Sequence, residues 1–326
     1  MRLGIAGAGM IVNEFLPLLK QIDGLELAAI WNRNPEKAAA LAVTYEIPHV
    51  AATYEDLLAS GIDTVYLGLP NDLHPRYAIQ AMEAGVNAIV EKPLAANFRE
   101  AEQLAAISEQ TGCFVFEALS TPYLDSIPVL QRWLPELGTL KLAESRFTQF
   151  SSRYRRFQAG DAAPAFDPNH AGGALMDLGV YTLSLLTTLL GDPSGLQYHA
   201  NLERGIDTSG ILTLHYPGTQ AVCVFAKDCG SPPLALLEGT EGTIRIDGHP
   251  GRIERLTLTR RGGTEEHFTD LSFPTLPHFR AALQAWEDGD TAFFSRRLSA
   301  SLQISRLLTE ARCQASIVFP NDTLEQ

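Results

Sequence analysis

The stretch RLGIAGAGMIVNEFLPLLKQI, Arg2 to Ile22, decides how the first third of the chain is read. A short, mostly apolar run ends in Gly7 and Gly9, and helical periodicity starts directly behind them. Strand, glycine turn and helix in that order form the opening of a dinucleotide-binding sheet. The first glycine permits the tight turn, and the second lets a pyrophosphate approach the backbone. The helix start at Met10 and Ile11 then directs N–H groups toward that anion. Val12 stands where the fingerprint has its third glycine, so the helix is expected to ride slightly off the sheet. Pro17 is expected to disturb the middle of that helix.

Working outward, the same alternation continues. LELAAIWN reads as a strand and PEKAAALAVTY as a helix opened by Pro35. A short strand near Val50 precedes the helix YEDLLAS. DTVYLGLP, NAIVEKP and CFVFEALS are further strands, separated by the helices HPRYAIQAMEAG and NFREAEQLAAISEQTG. Near-continuous apolar strands between helices predict a parallel sheet covered on both faces. After PYLDSIPVLQRWLPEL, read as a helix, the rhythm changes to GTLKLAESRFTQF, LQYHANLER, GILTLHYPG, TQAVCVFAKD, LALLEGTEGTIRID and RIERLTLTRR. These alternate and are joined by Pro-Gly, Gly-Gly and Asp-Gly turns, which predicts an antiparallel sheet with one exposed face. Two helices close the chain. The expected fold is an α/β Rossmann domain over residues 1–120, followed by an α+β domain over residues 121–326 with a large, mostly antiparallel open sheet.

Composition narrows the function. The 326 residues are 45% hydrophobic and 19% charged, an ordinary globular balance long enough for two domains. A formal net charge of -13 weighs against nucleic acid and anionic membranes as partners. The dense basic cluster RYRRF, Arg153 to Phe157, reads either as a local basic patch or as a solvated loop or strand edge. Apolar runs read as too short and too interrupted to span a bilayer. Cysteines 113, 223, 229 and 313 show neither CxxC nor metal spacing, so reduced thiols, no metal and a cytoplasmic protein are expected. A strand-like run from residue 3 leaves no place for a signal peptide.

Two local patterns carry chemistry. At the end of the second strand, IWNRNPEK has no acid at Ile30, Trp31 or Asn32 to bond a ribose 2′-hydroxyl. Asn32 can bond a hydroxyl or phosphate oxygen and Arg33 can pair with a 2′-phosphate, so NADP is favoured, with NAD as the second option. Further on, GGALMDLGVYTLSLLTTLLG, Gly172 to Gly191, reads as an apolar helix interrupted by Asp177 and Tyr181, four residues apart. On an α-helix these share one face, one turn apart. They read either as a hydrogen-bonded pair at the helix's wet edge or as the lining of a site.

The block LGLPNDLHPRYAIQAMEAGVNAIVEKP holds Pro70-Asn71, His74, Gly85 and Glu91-Lys92-Pro93. With the glycine turn ahead of it and GGALMDLGVY behind it, the chain resembles the Gfo/Idh/MocA oxidoreductases over nearly its whole length. The resemblance implies a Rossmann domain binding NAD or NADP, and oxidation or reduction of a hydroxyl or carbonyl on a sugar, polyol or cyclic diol. It places Lys92 near the reacting oxygen and the nicotinamide, and Pro93 in a turn that is often cis. Pro70, Asn71, His74 and Glu91 are implied at the cofactor's nicotinamide end. Asp177 matches the aspartate of the second-domain motif, and Tyr181 falls where many members carry histidine. That tyrosine resembles the branch of dimeric dihydrodiol dehydrogenase and certain aldose 1-dehydrogenases. A free tyrosine, with a pKa near ~10, is a poor base at neutral pH unless a neighbouring ammonium lowers that value. The implied roles are therefore Tyr181 as acid/base, Lys92 as the cation that lowers its pKa and polarises the oxygen, and Asp177 as a group orienting substrate or Lys92. His170 and Arg153 are candidate substrate contacts. The rival expectations are a nicotinamide-binding sensor without turnover and an imine or tetrapyrrole reductase. The open sheet implies a homodimer or homotetramer.

Overall fold

Six parallel strands organise the first unit of the computed structural model, which describes residues 1–323. Along the chain they are β1 (Arg2–Ala6), α1 (Met10–Leu19), β2 (Glu26–Trp31), α2 (Pro35–Tyr45), β3 (His49–Val50) and α3 (Tyr54–Ala59). Then follow β4 (Thr64–Leu67), α4 (His74–Glu83), β5 (Asn87–Glu91), α5 (Phe98–Thr111) and β6 (Val115–Ala118). The strand order β3-β2-β1-β4-β5-β6 reverses direction between β1 and β4, the crevice where such sheets bind dinucleotides. β4 and β6 are buried throughout, as strands covered on both faces must be. Side-chain caps fix three helix starts: Asn34 accepts from the Glu36 and Lys37 N–H groups, Thr53 from Asp56 and Asn97 from Glu100.

Gly7 has φ +120°, and a Cβ there would run into the Gly68 carbonyl. Val12, the departure from the fingerprint, is fully buried, and its Cγ2 fills the space that a Cβ on Gly68 would need. The glycine missing from the helix is thus supplied from across the crevice, just beyond β4. Pro17 does not break α1, which runs on to Leu19; it falls in the last turn, where little helix remains to disrupt.

The second unit holds β7 (Leu140–Thr148), β8 (Gly195–Glu203), β9 (Ile206–Tyr216), β10 (Thr219–Ala226), β11 (Leu234–Gly239), β12 (Gly242–His249), β13 (Arg252–Arg260) and β14 (Glu265–Thr269). Their order is β14-β13-β12-β11-β7-β10-β9-β8; β7 and β10 are parallel and the other neighbours antiparallel. The stretch read as one strand, LALLEGTEGTIRID, is the hairpin β11–β12, and β14 escaped the sequence reading. Helices α6 (Ser126–Trp133), α7 (Tyr154–Gln158) and α8 (Val180–Leu190) belong to this unit. RYRRF is therefore the start and body of a short helix, not a strand edge. Leu142 and Ile211 are exposed on the sheet. The run Pro168–Leu190 does reach the length and hydropathy, 1.4, of a membrane span, contrary to the reading of the sequence. It is 72% buried inside the protein, as a core helix is.

The chain does not divide once near residue 121. Met1–Ala118 groups with Pro274–Ser305, and Leu119–Phe273 with the residues from Arg306 onward. Aromatic packing explains why 274–305 leaves the expected second domain. Phe279 of the helix Pro277–Glu287 meets Tyr66 edge-on at 5.2 Å and Phe15 at 5.9 Å. Phe294, in the following helix, stacks on Phe114 at 3.9 Å.

Candidate active site

In the first unit, the Glu91-Lys92-Pro93 turn leaves the end of β5 through a cis Lys92–Pro93 bond. Lys92 is half-buried, while the groups behind the turn are enclosed. Glu91 accepts from the Tyr66 hydroxyl at 2.7 Å and from the Lys92 N–H at 3.3 Å. Glu117, on β6, accepts from the Leu94 N–H at 2.9 Å. His74 is sealed from solvent, its Nδ1 2.9 Å from the Pro93 carbonyl and its Nε2 2.9 Å from the Leu69 carbonyl. A ring enclosed between two carbonyls braces the turn that carries Lys92. Burial lowers the His74 pKa. Pro70 and Asn71 lie where β4 gives way to α4, half-buried.

Burial pushes the Glu91 and Glu117 carboxyls up from 4.5 to about 7. Between those values the folded protein keeps protons that the unfolded chain has released, so stability falls as pH rises through this window. Each carboxyl contributes a loss on the order of 3 kcal/mol above the window. Glu117→Gln is therefore expected to gain stability relative to wild type from pH 5 to pH 8 in denaturant titrations. A stability difference that stays flat across that range contradicts this account.

Also in the first unit, a hollow of about 450 Å³ opens at the end of β2. Trp31, Tyr54 and Tyr77 form one aromatic cluster beside it, with ring centroids 4.7 to 5.5 Å apart. Arg33 and Arg76 both line it, and the Arg76 guanidinium lies 5.6 Å from the Tyr77 centroid. Asn32 donates to the Asn34 carbonyl at 2.9 Å. At the same end of the sheet, just past β1, Gly9 starts α1 with no side chain capping it. An aromatic wall with two guanidiniums, next to an uncapped helix start, fits an adenosine bearing a 2′-phosphate and its pyrophosphate. Arg76 was missed in the sequence because it opens a helix distant from the fingerprint.

In the second unit, the helix entry is not α-helical. Leu175–Gly179 winds as a π-helix, with the Val180 N–H reaching back to the Leu175 carbonyl. The four-residue spacing therefore does not stack Asp177 and Tyr181 as an α-helix would. They remain related by exposure: from residue 171 to residue 187, Asp177 and Tyr181 are the two that are not buried. π-turns of this kind recur at functional sites because they re-aim one side chain without ending the helix. Asp207 holds this one in place, accepting from the Leu175 N–H at 2.6 Å and from the Tyr198 hydroxyl at 2.6 Å. Gly173, at φ +126°, leaves the room, since a Cβ there would collide with the Asp207 carboxylate.

Asp177 Oδ2 accepts from Lys227 Nζ at 2.8 Å, a partner within its own unit that the sequence reading did not name. A signal for it was present. Along β10, Thr219, Ala221, Cys223 and Phe225 are buried in alternation, and Lys227 continues that inward phase at 3% exposure. A lysine on the buried phase of a strand calls for a carboxylate. Tyr181 packs edge-on against Phe147 and His249, with centroids at 6.0 and 6.1 Å, and His249 stacks on Phe147 at 4.6 Å. His170 ends the turn Pro168–His170 and Arg153 precedes α7, both half-buried.

Residues 1–119 match a sequence model described as an oxidoreductase family with an NAD-binding Rossmann fold, and residues 135–252 match the GFO/IDH/MocA C-terminal domain. The scyllo-inositol 2-dehydrogenase (NADP(+)) IolU of Bacillus subtilis is 31% identical over 331 residues, which cover 99% of each chain. The trans-1,2-dihydrobenzene-1,2-diol dehydrogenase of Danio rerio is 29% identical over 258 residues, 76% of this chain and 75% of that one. Among solved structures, KijD10, a 3-ketoreductase from Actinomadura kijaniata in complex with NADP and TDP-benzene, aligns with a TM-score of 0.87 at 22% identity, covering 96% of this chain and 97% of that one. At that identity the likeness is one of fold.

Proposed function

The chain belongs to the Gfo/Idh/MocA oxidoreductase family, and on that premise we propose that it moves a hydride between NADP and the hydroxyl or carbonyl carbon of a sugar, polyol or cyclic diol. One observation carries the reading of the site: in a helix otherwise buried from residue 171 to residue 187, the residues left accessible are a carboxylate and a phenol. Burial could have been completed more cheaply with two apolar side chains. In this reading Tyr181 exchanges the proton of the reacting hydroxyl, Lys92 polarises its oxygen and Asp177 orients the substrate. Bound nicotinamide supplies the hydride acceptor or donor. Gly7, Gly9, Met10 and Ile11 hold the pyrophosphate, and Pro70, Asn71 and the Glu91-Lys92 turn shape the nicotinamide end. His170 and Arg153 are further substrate contacts in the same proposal. The test is the formation of reduced nicotinamide from NADP over a panel of inositols, aldoses and cyclic diols, scyllo-inositol first. Tight NADP binding with no turnover of any panel member would instead make the chain a sensor.

The preference for NADP rests on the two guanidiniums of the β2 hollow. Arg33→Ala with Arg76→Ala is expected to weaken NADP binding about 10- to 100-fold, the worth of one to two charge-assisted hydrogen bonds, and to leave NAD binding within about 3-fold. Titration calorimetry with both dinucleotides checks it; equal losses for the two would contradict the assignment. The scattered cysteines favour a cytoplasmic protein, and the exposed Leu142 and Ile211 favour a homodimer or homotetramer formed through the open sheet.

A further inference from the structure

Lys227 is buried, charged and outside every motif the family resemblance supplies. Its ammonium is held from three sides. It donates to the Asp177 carboxylate at 2.8 Å and to the Ala165 carbonyl at 2.6 Å, and it lies 4.3 Å from the centroid of the Phe166 ring. Its backbone is fixed as well: its N–H donates to the Thr208 carbonyl at 2.8 Å, and its carbonyl accepts from the Ser151 N–H at 2.9 Å. The side chain is 3% exposed, whereas that of Asp177 is 32% exposed. A long, flexible residue is thereby locked into one position, with its charge aimed at the accessible carboxylate.

Two features distinguish this from an ordinary core ion pair. Asp177 sits on the π-turn, where the backbone does not follow the regular helical spacing and the side-chain direction depends on local partners. Ala165 and Phe166 belong to the segment 161–173 that leads into the same turn. Lys227 therefore ties the approach segment and the carboxylate to the end of one rigid strand. A surface ion pair contributes little, but a pair with one partner sealed in protein fixes geometry, and removing the cation removes that fixed contact from the carboxylate.

We infer that Lys227 is a positioning residue for the reaction: it sets the orientation of Asp177, and through the Ala165 carbonyl it holds the segment beside it. The inference rests on the reading that Asp177 belongs to the site. It calls for a cation at 227 even though the side chain is only 3% exposed.

A double-mutant cycle on the full chain tests it. Turnover with NADP and the best substrate of the inositol, aldose and diol panel is measured for wild type, K227M, D177N and K227M/D177N. K227M is expected to lower kcat about 10- to 100-fold, the usual cost of a small misplacement near the chemistry, with NADP affinity unchanged. In the D177N background K227M should cost less than about 3-fold, because the group it positions is already altered. If Lys227 merely supports the fold, its effect persists in both backgrounds and the two losses multiply, which overturns the inference. K227Q, smaller and polar, replaces K227M if that variant does not fold. Full activity of D177N, or no turnover of any panel member by wild type, sinks the reading of the site and this inference with it. An inactive D177N beside a fully active K227M sinks the inference alone.

Discussion

Replacing Tyr181 with phenylalanine is expected to lower kcat by about 10²- to 10⁴-fold, the range for removing a positioned general acid/base. The substitution is unusually clean here. The ring packs edge-on against Phe147 and His249, and phenylalanine keeps those faces and that volume. The fold of the second unit should therefore survive, with a thermal midpoint within a few degrees of wild type. NADP affinity should not change, since the fingerprint, the hollow and the Lys92 turn all lie in the first unit. The measurement is steady-state kinetics beside cofactor titration. Turnover within about 3-fold of wild type would remove Tyr181 from the mechanism and leave its exposure unexplained.

The second large effect is expected at Lys92. Lys92→Met should lower kcat about 10²- to 10³-fold, comparable to the loss of a preorganised charge stabiliser. The backbone of the turn that carries Lys92 is held by other residues as well. Its backbone is held by Glu91 at the Lys92 N–H, by Glu117 at the Leu94 N–H and by His74 at the Pro93 carbonyl. Methionine keeps the length of the stem and removes the ammonium, so the variant isolates the charge. One structural side effect is expected. The Lys92 charge opposes the burial that raises the Glu91 and Glu117 pKa values, so K92M should move both carboxyls further up. The pH window over which stability falls should then shift to higher pH. A variant with wild-type kcat would leave Lys92 as a cofactor or structural residue.

Much of this was legible in the chain itself, and the reasons are physical. Strand–helix alternation over the first 118 residues follows from short continuous apolar runs and a helical period of 3.6, which depend only on residues near in sequence. Gly7 is a local backbone feature that its letters announce, and the Glu91-Lys92-Pro93 block was read from the family resemblance. Asp177 and Tyr181 were visible as polar letters in an apolar run. The misses have a common cause. The π-turn at Leu175–Gly179 is stabilised by Asp207, whose carboxylate reaches Leu175 from β9 across 32 positions of sequence. Helical spacing alone therefore predicts a regular helix and a shared face there. The enclosure of His74 is likewise tertiary on one side: the Pro93 carbonyl at its Nδ1 lies 19 positions away in sequence.

Local pattern thus determined the Rossmann strand order's ingredients and the existence of an open antiparallel sheet, because each depends on residues adjacent in the chain; the candidate chemistry came from the family resemblance. Three things required the tertiary structure. Gly68 makes room for Val12; Pro274–Ser305 joins the first unit through Phe279 and Phe294; Lys227 meets Asp177. Each is a contact between segments far apart in sequence, and its energy comes from packing or charge at a few ångströms. No periodicity encodes which distant residue fills that space, so only the folded chain names the partner.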